Sequence, residues 1–153
     1  MLETKPAELE KCFDIKLLNA PVKLSIHLQN RVDIPTTMQK LSELSVILGR
    51  EFLSQVLTAW MESAKERLAS MLAKAAENHH VFVGKTAHAL QGSSLLLGFD
   101  KLAGMCQKVE NATNRFNPRY KRLMYKIRNE INNLTLMVTN LVHFLGGEPA
   151  QCP

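Results

Sequence analysis

HALQGSSLLLG, residues 88–98, places one His, two Gly and a Ser pair inside a segment whose neighbours all read as helical. A glycine in a helix interior costs about 1 kcal/mol relative to Ala, so the two beside a histidine call for a reason. A helix turns about 100° per residue, and directions can be assigned from His88 outward. Val83, Thr86, Leu90, Ser93, Ser94 and Leu97 then point to the side opposite His88, an apolar face with small hydroxyls. Those hydroxyls can bond carbonyls of the preceding turn, so their burial leaves nothing unsatisfied. His88 is expected to face solvent, flanked by Lys85 and Gln91 at i−3 and i+3. Gly92, at i+4, lies on the same face and clears space beside the imidazole. Leu95 continues that face one turn on. Ser93 and Ser94 allow close packing behind it, and Gly98 is placed to end the helix.

Outward from this stretch the periodicity stays helical. DIPTTMQKLSELSVILG, residues 33–49, reads as a helix with a Thr or Asp cap and Gly49 as its stop. Residues 50–77 show helical spacing through Phe52, Val56, Trp60, Arg67, Leu68 and Met71. Segments 79–97 and 99–113 follow. Residues 117–147 form a last helix, with Pro118 suited to its first turn and Gly146 and Gly147 to its stop. Gly49, Gly84, Gly98 and Pro118 are read as the punctuation. Strand signals are few, no Gly-rich phosphate loop is present, and the connections are short, so successive helices should run antiparallel. The expected fold is all-α, an up-down four-helix bundle with an additional N-terminal helix or helices. Residues 1–32 form an extension with a possible helix near Ala7–Leu18, 33–147 the bundle, and 148–153 a tail.

The chain of 153 residues suits one domain, and its 46% apolar and 22% charged content is that of a globular protein. No apolar run approaches the ~20 residues needed to span a bilayer, and the charged N-terminus has no apolar signal region. Cys12, Cys106 and Cys152 make neither a disulfide framework nor a zinc pattern, which favours a reduced, cytoplasmic protein. The net charge of +5 falls entirely in residues 101–153, much of it in RFNPRYKRLMYKIR. A solvated helix face explains that run; an acidic partner surface is the sharper alternative. No nucleic-acid motif accompanies it.

At His88, Gln91, Gly92, Ser93, Ser94 and Gly98 the sequence resembles the histidine-containing phosphotransfer (HPt) family. FDKLAGMCQKVEN, with Leu102, Cys106 and Glu110, is similar to the family's next helix, and residues 41–75 to its first two. The resemblance covers about residues 33–145. It implies a phosphorelay carrier. The neutral Nε2 of His88 would take a phosphoryl group from a receiver domain of a hybrid sensor kinase and give it to the receiver of a response regulator. Lys85 and Gln91 would stabilise the phosphoryl group. By their own chemistry Leu95 and Phe99 read either as core or as an apolar docking patch around His88, of the size transient partners use. The chain would need no cofactor of its own, with Mg²⁺ on the partner receiver, and would act as a monomer without membrane or nucleic acid. One position departs: Gln91 stands where family members commonly carry Lys, and offers only an amide donor. No ATP-binding kinase element is present, so self-phosphorylation from ATP is not expected.

Two other readings stand beside this one: an adaptor or inhibitor that binds receivers or kinases without carrying phosphate, and a basic helical nucleic-acid binder using residues 115–128. No paired carboxylates or nucleophile elbow suggest a hydrolase. His79 and His80, at the start of a helix, could join His88 or Cys106 in a metal site, but a solvated turn is the simpler reading. His143 is placed at the bundle edge, and Trp60, Met61 and Met71 in the core.

Overall fold

A computed structural model describes residues 34–146, and among these every element is a helix. The readings for residues 1–32, including the helix near Ala7–Leu18 and His27, and for the tail 148–153 lie outside the described residues. The helices are α1 (Ile34–Leu48), α2 (Arg50–Ala76), α3 (His80–Leu96), α4 (Asp100–Asn114) and α5 (Tyr120–Gly146). Helices α2 to α5 form the bundle: α3 packs on α2 and α4, and α5 packs on α2 and α4, so α3 and α5 sit diagonally. Helix α1 packs on α2 and covers one end through Met38 and Leu41. No described helix is long and apolar enough to cross a membrane.

The three bundle turns share one device. After α3, Gly98 adopts φ 78°, its N–H bonds Leu95 O at 3.2 Å, and the Phe99 N–H bonds Ser94 O at 2.9 Å. This is the Schellman arrangement, in which a left-handed residue satisfies the last carbonyls of a helix. Asn78 (φ 60°) ends α2 in the same way, with His79 N–H bonded to Lys74 O at 2.9 Å. Phe116 (φ 51°) ends α4, with Asn117 N–H bonded to Ala112 O at 2.9 Å.

Two expected punctuation marks move. Gly84 does not break the chain: it is buried within α3. A Cβ there would meet Thr113 Oγ1 at 2.5 Å, so its missing side chain lets α4 come close. Pro118 lies in the turn before α5, where the Asn117 side chain accepts a bond from Arg119 N–H at 3.0 Å, and the helix starts at Tyr120. The core is continuous, built around Leu53, Leu57, Trp60 and Met71 of α2, Val83, Ala87 and Leu90 of α3, Leu102, Cys106 and Val109 of α4, and Met124, Ile127, Ile131 and Met137 of α5. Of the basic run, Arg119 is exposed in the turn before α5, and Arg122, Lys126 and Arg128 lie on the solvent side of α5.

Candidate functional site around His88

The His88 side chain is 72% exposed on the outer surface of α3. Leu90 and Ser94, on the opposite side, are fully buried, which fixes the rotation of the helix. Thr86 is only half-buried, and Ala87 and Gly84 take the buried positions instead, so the packed face is turned toward α4. Ser93 and Ser94 both donate to Leu90 O, at 3.1 and 2.7 Å. Their hydroxyls are thereby satisfied inside the helix.

Glu110 of α4 meets the imidazole. Its Oε2 lies 3.1 Å from His88 Nδ1. An ionised carboxylate only accepts hydrogen bonds, so Nδ1 carries the proton and donates. In the neutral ring Nε2 then holds the lone pair, and it lies across the ring from Glu110. The inter-helix approach behind this contact runs through Gly84 and Thr113, whose hydroxyl donates to Glu110 O at 2.8 Å. In the sequence Glu110 is one residue of the α4 pattern, and nothing there pairs it with His88. The signal is the shared outer edge of two helices that come close at Gly84, one turn from His88.

Lys85 is exposed and Gln91 half-buried, on either side of the imidazole, and Lys85 has no ion pair with a described residue. Gly92 is open: a Cβ added there would meet nothing within 4 Å. Seven residues either side of His88, on the same line of α3, Val81 and Leu95 are exposed apolar residues. Leu95 also lines a groove of about 290 Å³ with Thr36, Gln39, Lys40 and Glu43 of α1.

Phe99 corrects the expected docking patch. It is 2% exposed and packs on Trp60 with ring centroids 4.6 Å apart. The left-handed Gly98 redirects the chain, and Phe99, at the N-cap of α4, turns inward. The surface apolar residues at this end are Leu95 and Leu96, 48% and 72% exposed.

The remaining candidates do not join the site. His80 Nδ1 lies 2.9 Å from the Tyr120 hydroxyl, His79 lies beside Glu77, and His143 is exposed on α5. Cys106 is fully buried, and loss of solvation pushes its thiol up to about 12. Among the described residues no group of His, Cys, Asp and Glu is arranged to hold a metal ion.

The family model described as the Hpt domain matches residues 55–141, more than half of the chain and a span that contains both His88 and Glu110. No curated protein and no solved structure matches.

Proposed function

The chain belongs to the Hpt domain family, and from that premise we propose that it carries a phosphoryl group on Nε2 of His88 between two receiver domains, one of a hybrid sensor kinase and one of a response regulator. The observation that supports this best is the exposed imidazole with Nδ1 bound to Glu110 and Nε2 left free beside the open Gly92 position.

In the accepting step the Nε2 lone pair forms an N–P bond while the O–P bond of the receiver's aspartyl phosphate breaks. The electron pair of that bond stays on the aspartate as carboxylate. The Nδ1 proton remains in place, so the phosphorylated ring is cationic, and Glu110 sits where that charge develops. A carboxylate so placed both orients the nucleophile and stabilises the charge it acquires. The return step reverses these bonds at the second receiver's aspartate. Because His88 is mid-helix, no free helix N-terminus faces the phosphoryl oxygens. Lys85 and Gln91 are the flanking donors on α3 itself, and Mg²⁺ on the receiver supplies further charge. Transfer is then chiefly positioning and charge neutralisation. Leu95 gives a partner an apolar foothold about 10 Å along the helix from His88, at the edge of a groove whose other walls are polar.

Gln91 in place of the usual Lys favours one rival, an adaptor that binds receivers without carrying phosphate. Incubation with a phosphorylated receiver separates the two readings. A carrier gains acid-labile label that His88→Gln abolishes while the helix content is kept; an adaptor gains none.

A further inference from the structure

We propose that Arg67 of α2 is a ligand of the phosphoryl group on His88, reaching it across the gap that Gly92 leaves. This rests on the carrier reading above and names a residue of the same site from a different helix.

A phosphohistidine presents three oxygens sharing nearly two negative charges, and these need cationic donors. The α4 side of His88 cannot supply them. Glu110 is anionic there, and Gln91 offers an amide only. Beyond Lys85 on α3 and the charge a receiver brings, the other helix placed to offer a cation is α2. Viewed down α3, Lys85 and Gly92 lie about 60° and 40° from His88 toward α2, with Ala89 at about 100° and Ser93 at about 140°. The Arg67 guanidinium already sits over this sector: Nη1 is 3.4 Å from Ala89 O and 3.5 Å from Ser93 Oγ. Ala89 is next to His88 in the chain, and Ser93 is next to Gly92.

Both contacts are long, and both acceptors are neutral. Arg67 forms no ion pair with a carboxylate among the described residues. A guanidinium has five donors in a planar fork, matched to two phosphoryl oxygens at once. Most of that capacity is uncommitted. By angle around α3, Gly92 lies between the Ala89 and Ser93 contacts of Arg67 and the imidazole, and an added Cβ there would meet nothing within 4 Å. The side chain therefore reaches the phosphoryl group by rotating its own torsions, with no backbone shift. Gly92 thus serves two approaches, the partner's from outside and that of Arg67 from α2. A cation from α2 also answers the absence of Lys at position 91.

The test uses the full chain and phosphoramidate, a small phosphoryl donor that needs no protein partner. Uptake is followed by ³¹P NMR, and the Arg67 Nε–H resonance by ¹⁵N NMR. Arg67→Gln keeps most of the stem and should slow uptake about tenfold, with Arg67→Lys recovering part of the rate. In the natural chain the Arg67 Nε–H resonance should shift as His88 becomes phosphorylated, which a merely structural role would not produce. Labelling of His88 at an equal rate in Arg67→Gln, with no resonance shift in the natural chain, would overturn the role of Arg67 and leave the carrier reading intact. Absence of any label on His88 in the natural chain would overturn the carrier reading itself.

Discussion

Glu110 holds Nδ1 of His88 at 3.1 Å from a helix 22 residues further along the chain, and this contact sets which imidazole nitrogen is available. The proton sits on Nδ1 because its acceptor is a carboxylate, and the lone pair sits on Nε2.

Glu110→Ala should therefore leave the fold intact and slow phosphoryl transfer about fivefold, because a partly exposed charged hydrogen bond is worth about 1 kcal/mol. Glu110→Gln keeps an acceptor and loses the charge, so it should fall between the two. The ¹⁵N shifts of His88 report the cause. In the natural chain they should show the Nδ1–H form, and in Glu110→Ala a mixture of tautomers. An unchanged tautomer together with an unchanged rate would remove Glu110 from the site.

The approach of α4 to α3 depends on Gly84. Gly84→Ala drives a Cβ into Thr113 Oγ1 and should destabilise by about 1–3 kcal/mol, the usual range for overpacking. It should also slow transfer, because Thr113 anchors the turn that carries Glu110. Thr113→Ala removes the obstructing hydroxyl. The double variant should regain part of the lost stability, read as a coupling in a thermal-unfolding cycle. Independent effects would show that the two residues do not meet.

Leu95 and Phe99 now separate into surface and core. Phe99→Ala should cost about 3–5 kcal/mol, as expected for a buried aromatic, and lower the melting temperature without a specific effect on partner binding. Leu95→Ala and Leu96→Ala should leave the melting temperature nearly unchanged, and Leu95→Ala should weaken receiver binding measured by titration calorimetry. Receiver affinity insensitive to Leu95 would place docking elsewhere than beside the α1 groove.

Much of this was readable from spacing alone. The 3.6-residue period located α2 to α5, the angular positions around His88 turned it outward, and Gly98 marked the end of α3. What spacing could not carry are relations between helices. Glu110 reaches His88 from a helix that comes close at Gly84, and a glycine reads equally as a break or as a contact. Phe99 looks like a continuation of an exposed face until the left-handed Gly98 redirects it. Asn78 and Phe116 end helices in the same conformation as Gly98, and Phe116 gives no local sign of doing so because bulky residues rarely adopt positive φ.

Lys85 and Gln91 bracket His88 at one turn on either side, and under the proposed carrier role a phosphoryl group shared between them would make their effects interdependent. Gln91→Lys adds an ammonium where the amide neutralises charge incompletely. It should speed transfer or lengthen the life of the phosphohistidine by roughly fivefold, about 1 kcal/mol, since salt and solvent screen an exposed site. Lys85→Ala should slow the natural chain by a similar factor, because one of its few flanking cations is gone. In the Gln91→Lys background the same change should cost less, as the new ammonium takes over part of the neutralisation. The measurement is a double-mutant cycle on the transfer rate at fixed ionic strength. A positive coupling places both side chains on one phosphoryl group. Strict additivity would show that they act on separate charges, and the bracket around His88 would reduce to Lys85 alone.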